Sequence, residues 1–322
     1  MTAEADRRSA AARAAATKAE AERPIRGGPV AWAGRTVADV WRKTNRDRVL
    51  GLAAENAFMA TLTVFPTLLV VAAVLGQLGH IVGEANAQRV EKAVIDFLNR
   101  LLTNEASGAI DTVKGLFEAG GNTLTVASVI ALVSTAMAFA GVINTVTVVY
   151  DVHDRRGWWK RRWLGLVVGI GSVLTGAVVV TLVVVGPLFG RGVDIVTSIG
   201  LSRQYDFLWS YLRWPVAFVS LVLWATTMCH ICPDRQTRWR SGLPGGLLTA
   251  LFWLAASVGF NVYLQIVIKS SPLLGALGGG LILMTWFYLL CLGLLVGATL
   301  NAILLARRAC RAELLADSEA LE

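Results

Sequence analysis

Four side chains able to engage a polar ligand sit near the ends of apolar stretches. Glu55 and Asn56 follow the start of the first stretch, Asn144 precedes the end of the second, and Asn301 precedes the end of the last. If the stretches are helices of alternating direction, all four lie at similar depth near one membrane surface. A carboxylate and three amides there would line a vestibule holding a polar headgroup or an ion, because an ionised carboxylate in apolar surroundings is costly unless paired or hydrated. Alternatively the amides are hydrogen-bond glue between helices, worth on the order of 1 kcal/mol each, with Glu55 reaching headgroup water. A second set lies toward the opposite surface. Asn261 and Gln265 are four apart, hence on one helical face, and Arg213 stands about two turns inside its stretch. Its planar guanidinium suits phosphate, but the same side chain can snorkel outward with no ligand.

Other reactive residues form no constellation. Cys229-His230-x-Cys232 has metal-binding residue types, yet these positions do not converge on a helix, and zinc takes four ligands, or three and a water. No metal or cofactor is expected. The chain has three histidines, His80, His153 and His230, and topology sets His80 apart from the others. Neither a Gly-x-Ser-x-Gly elbow, a P-loop nor a His-Glu-x-x-His helix is present, so no catalytic residue is assigned and no enzyme is expected. The basic run Arg155–Arg162, with Trp158, Trp159 and Trp163, reads as a headgroup anchor at a span's edge rather than a stacking surface for nucleic acid. Membrane lipids, and no nucleic acid, are the expected partners; a homo-oligomer is left open. Four cysteines in or beside apolar segments give no disulfide framework.

The elements that must position these residues are membrane helices. Of 322 residues 55% are hydrophobic and 16% charged, against about 25% charged in soluble domains. The apolar residues come in blocks near the 20 or so that a bilayer-spanning helix needs. Six spans are expected, at about 50–78, 123–149, 163–189, 207–230, 244–268 and 277–305. The first block begins only at Leu50, which argues against a cleaved signal peptide. Of the 30 Lys and Arg residues, 22 fall in the terminal segments and the second and fourth connections, and seven in the alternate connections. The positive-inside rule then puts both termini in the cytoplasm.

The expected fold is therefore an all-α polytopic membrane protein with six transmembrane helices. Residues 1–28 read as a mobile cytoplasmic tail, helical at most in part. Residues 29–48, with Ala33, Val37, Val40 and Trp41 at helical spacing among arginines, read as an interfacial amphipathic helix; a solvated basic linker is the alternative. Residues 49–306 form the six-span domain, and 307–322 a second cytoplasmic tail. Between spans one and two, residues 79–122 have two short apolar faces, around Val90–Leu101 and Ile110–Phe117, that suggest an extracytoplasmic helical hairpin.

Several motifs resemble the YihY/BrkB family of bacterial inner-membrane proteins, formerly labelled ribonuclease BN, over nearly all of residues 35–306. They are Ala53-Ala54, Ala57-Phe58 and Phe65-Pro66 in the first span, Asn144 and Tyr150 closing the second, and Cys232-Pro233 through Trp239-Arg240 with Leu243-Pro244-Gly245 in the loop before the fifth. The last span adds Gly275-Ala276-Leu277-Gly278, Trp286-Phe287-Tyr288 and Gly297-Ala298-Thr299-Leu300-Asn301. Thr299 departs from the glutamate usual in the family, which leaves Glu55 to compensate, if anything does. The resemblance implies a multi-pass plasma-membrane protein. With the polar residues above, it raises the expectation of translocation of an amphipathic or anionic envelope substrate, a lipid or lipid-linked molecule. The alternatives it carries are a tRNA-processing ribonuclease and a non-transporting scaffold associated with serum resistance.

Overall fold

The computed structural model describes residues 3–21, 28–63, 121–180, 202–234, 238–270 and 272–319. Every long element among them is a helix. We number these α1 (Ala3–Ala21), α2 (Pro29–Arg46), α3 (Val49–Thr63), α4 (Gly121–Val149), α5 (Trp158–Val180), α6 (Ser202–Ile231), α7 (Leu243–Ser270) and α8 (Pro272–Glu319). A single 3-10 turn, Trp239–Gly242, leads into α7. Three segments are long and apolar enough to cross a membrane: Trp214–Ile231, Trp239–Tyr263 and Gly280–Glu313. These overlap the expected fourth, fifth and sixth spans. Val49–Thr63 and Val133–Val149 are shorter apolar helices at the first two expected spans. The Phe65-Pro66 break and the hairpin at 79–122 lie outside the described residues.

Residues 3–21, expected to be helical at most in part, form one continuous helix. Alanine has the highest helix propensity, and α1 is largely alanine. Pro29 occupies the first turn of α2, where its missing N–H costs nothing. That helix stops at Asp47, and Arg48 adopts a left-handed backbone (φ 53°) that redirects the chain into α3. A similar device ends α4. Asp151 is left-handed (φ 56°), its N–H bonds the Val148 carbonyl at 3.0 Å, and the Val152 N–H bonds that of Thr147 at 3.2 Å. This is a Schellman closure with aspartate where glycine is usual.

The core gathers where α3 begins, α4 and α6 finish and the middle of α8 passes. Val49 and Ala53 pack there with Ile143, Val146, Val149, Met228, Cys229, Leu295 and Ala298. A start meeting two ends in one cluster means that α3 runs opposite to α4 and α6. Close approach depends on glycine. A Cβ at Gly165 of α5 would fall 2.6 Å from the Ala136 carbonyl oxygen of α4, and Gly245 and Gly297 place α7 and α8 backbone to backbone.

Candidate functional site

The four polar residues expected at one depth turn in two directions. Asn301 is fully buried. Its Oδ1 accepts the Gly245 N–H at 2.8 Å and its Nδ2 donates to the Gly242 carbonyl at 2.9 Å. The last span thus grips both sides of the turn that starts α7. Tyr150, the residue just beyond α4, lies beside Asn301. Burial, reinforced by neighbouring Cys229, pushes the Tyr150 hydroxyl well above the usual phenol range, and Asn301 opposes this. Asn56, also buried, donates from Nδ2 to Thr145 Oγ1 on α4 at 2.9 Å and to the Leu52 carbonyl at 3.0 Å. Both amides are thus engaged in interhelical hydrogen bonds.

Glu55 and Asn144 point the other way. Glu55 shares the exposed face of α3 with Phe58, Met59 and Leu62, and Asn144 that of α4 with Val133 and Met137. The four residues therefore do not converge on one vestibule: two are packed inside and two face outward. At 1.5 Å per residue, Glu55 stands about 9 Å along α3 from its start and Asn144 about 8 Å from the end of α4. Thr299 is fully buried and bonds the Leu295 carbonyl of its own helix at 2.7 Å. Glu55, exposed on α3, occupies a different environment from position 299.

In the second set, Asn261 and Gln265 are exposed on α7 and bonded to each other at 2.7 Å, Gln265 donating. Arg213 belongs to α6, but its side chain lies outside the described residues. Cys229 and Cys232 are buried free thiols, and no group of three or more His, Cys, Asp or Glu that could hold a metal occurs among the described residues.

A polar cluster that the sequence reading missed joins the N-terminal helices to the bundle. Lys43 has a fully buried side chain. Its Nζ lies 2.6 Å from Asp151 Oδ2, 2.8 Å from Asp47 Oδ2 and 3.1 Å from Thr17 Oγ1. Thr17 of α1 donates to Asp151 Oδ2 at 2.6 Å and accepts from Arg46 at 2.7 Å. One turn away, Asp39 receives Arg42 and Arg307 together, and Arg307 also donates to Thr36 Oγ1 at 2.8 Å. Buried ions this well paired escape the large desolvation penalty of an isolated charge. A cavity of about 150 Å³ lies against the cluster, lined by Thr17, Lys18, Tyr150, Asp151, Cys310 and Glu313. The signal available in the sequence was the polar spacing Thr36, Asp39, Lys43, Asp47, which marks one helical face as surely as the apolar stripe beside it.

The basic run spans the connection between α4 and α5 and the first turn of α5. Arg156 donates to the carbonyls of Ile231, Cys232 and Pro233 at 3.0 to 3.3 Å and pairs with Asp234, fastening this connection to the end of α6. Trp158, Trp159 and Trp163 remain exposed, and Arg162 lies 5.4 Å over the Trp158 ring. An open cavity of about 340 Å³ is bordered by Arg155, Arg156, Trp158, Trp159, Lys160 and Asp234.

Comparison with known proteins decides the family. The family described as Virulence factor BrkB matches residues 40–321. The chain belongs to the BrkB family. Among relatives of this BrkB protein, the "Putative ribonuclease-like protein YfkH" of Bacillus subtilis (strain 168) is 27% identical over 58% of this chain and 68% of its own length. A "UPF0761 membrane protein" of Xanthomonas oryzae pv. oryzae (strain PXO99A) is 27% identical over 84% of this chain and 60% of its own length. The chain thus spans less than two thirds of the Xanthomonas relative. No solved structure matches. Family membership and the long apolar helices make this a membrane protein.

Proposed function

We propose that this BrkB protein crosses the bacterial inner membrane six times, with both termini in the cytoplasm, and translocates an amphipathic or anionic envelope substrate such as a lipid or lipid-linked molecule. The observation that carries this reading is the outward placement of Glu55 and Asn144. They stand on the otherwise apolar exposed faces of two helices joined by the Asn56–Thr145 bond. A polar side chain facing acyl chains is unfavourable without a polar partner. A headgroup passing along this flank would supply that partner while its tails stayed in lipid. The substrate's polar group then exchanges bilayer water for Glu55 and Asn144, which lowers the barrier to crossing.

The test is reconstitution into vesicles with fluorescent lipids of different headgroups, comparing wild type with E55Q, N144A and R213Q. Faster flipping of at least one class, slowed several-fold in E55Q or N144A with insertion unchanged, supports the reading. No stimulation with any class overturns it.

A second reading comes from the name of the Bacillus relative, together with the basic, tryptophan-flanked cavity at residues 155–160. RNA phosphates would fit such a surface. RNA cleavage by the purified protein that co-elutes with it, and falls in R155Q/K160Q, would favour a ribonuclease.

A further inference from the structure

Helix α2 is inside out relative to the surface helix of a soluble protein, which buries its apolar stripe and exposes its charges. Val30, Ala33, Val37 and Trp41 fall on one face, and all four are exposed, Val37 at 69% and Trp41 at 66%. Thr36, Asp39 and Lys43 of α2, and Asp47 just past its end, are buried on the other side. That side is held by ion pairs and hydrogen bonds to α1, α8 and Asp151. Rolling α2 to hide its apolar stripe would break all of them.

Charge is sorted by the same geometry. Residues 29–48 contain two acidic groups, Asp39 and Asp47, and both are buried in ion pairs. Of the basic groups, Arg35, Arg42 and Arg48 are exposed, Arg42 while also pairing with Asp39. What α2 presents outward is therefore an apolar stripe flanked by cations, with every carboxylate withdrawn. A solvated linker has no reason to sort its charges this way.

The geometry points to the anionic headgroup layer of the bilayer as the partner of this face. The helix lies in the plane of the interface with Val30, Ala33, Val37 and Trp41 at the acyl boundary and Arg35, Arg42 and Arg48 among lipid phosphates. Chain continuity favours lipid over a second protein. The left-handed turn at Arg48 leads directly into α3, whose exposed Phe58, Met59 and Leu62 need an apolar surrounding too. This contact goes beyond transport and stands whether or not a substrate is moved.

The experiment uses the full chain in nanodiscs of phosphatidylcholine alone or mixed with phosphatidylglycerol. The four free cysteines are replaced by alanine, and nitroxide labels are placed at V37C, W41C and, as an aqueous reference, A312C on exposed α8. Labels at 37 and 41 are expected to be several-fold less accessible than 312 to a water-soluble relaxant. The shielding should deepen with phosphatidylglycerol, and R35Q/R48Q should abolish that lipid dependence. Accessibility at 37 and 41 equal to that at 312 overturns the proposal, as does shielding indifferent to phosphatidylglycerol. If the cysteine-free background fails to fold, quenching of native fluorescence by brominated phosphatidylglycerol decides. W41F must reduce the quenched fraction relative to wild type, and an unchanged fraction overturns the contact.

Discussion

Lys43 Nζ and Asp151 Oδ2 are 2.6 Å apart although 108 positions separate them in the chain. The pair is fully shielded on the lysine side and nearly so on the aspartate side, and Asp47 and Thr17 complete the lysine's surroundings. It is the bond that fixes α2 to the end of α4.

Breaking this cluster on one side is expected to cost much more than removing it. K43M leaves Asp151 with Thr17 and Asp47 with Arg46, and D151N leaves Lys43 with Asp47, so each is expected to lose up to the roughly 3–5 kcal/mol of a broken buried pair. Asparagine tolerates the left-handed backbone at 151, so the loss in D151N reports charge rather than strain. The triple variant K43M/D47N/D151N is expected to recover much of the stability lost in K43M. Thermal melting in detergent checks this; a triple variant less stable than K43M contradicts it.

Asn301 and Asn56 should separate in their effects. N301A leaves the Gly245 N–H buried without its partner, at about 1–3 kcal/mol, while the Gly242 carbonyl keeps the first intrahelical bond of α7. N56A removes a donor from the Thr145 hydroxyl, which still donates to the Val142 carbonyl, so its cost is about 1 kcal/mol or less. Melting temperatures of the two single variants are the measurement, and N301A is expected to be clearly the lower.

Alkaline stability should depend on Tyr150. Its folded-state pKa is raised by burial, so the folded protein keeps a proton that the unfolded chain releases above about pH 10. The contribution is full below that pH and is lost as pH rises through the folded value. Between about pH 9.5 and about pH 11, wild type is expected to lose melting temperature more steeply than Y150F. Parallel curves would contradict the assignment.

What the sequence discloses here is local. Gly28-Pro29 marks the start of α2, and the stripe Ala33, Val37, Trp41 marks its outer face, because both signals lie within one helix. The apolar length of 214–231, 239–263 and 280–313 is equally plain. The orientation of Glu55 and Asn56 is a different matter. Adjacent polar residues lie 100° apart on a helix, so only the neighbour across the interface, Thr145, settles which turns inward. The same holds for Asn301, whose partners at 242 and 245 belong to another helix and its turn. The spacing of Thr36, Asp39, Lys43 and Asp47 marks a face of α2 but not its burial, since lysine almost always faces water and its partner Asp151 lies far along the chain. Asp151 itself sits where glycine is usual, a choice explained by the ion pair and by nothing in the adjacent residues.

The pairing of Asp39 with Arg307, 268 positions apart, sets an order of events during synthesis. At about 5–20 residues per second, the ribosome needs roughly 13 to 54 s after making Asp39 before Arg307 exists, and Asp151 becomes available to Lys43 well before that. The polar side of α2 therefore stays hydrated while the apolar helices enter the bilayer, closing first on α4 and last on α8. The N-terminal segment is made first and locked last, so its final bond forms only on a chain whose last membrane helix has already been delivered.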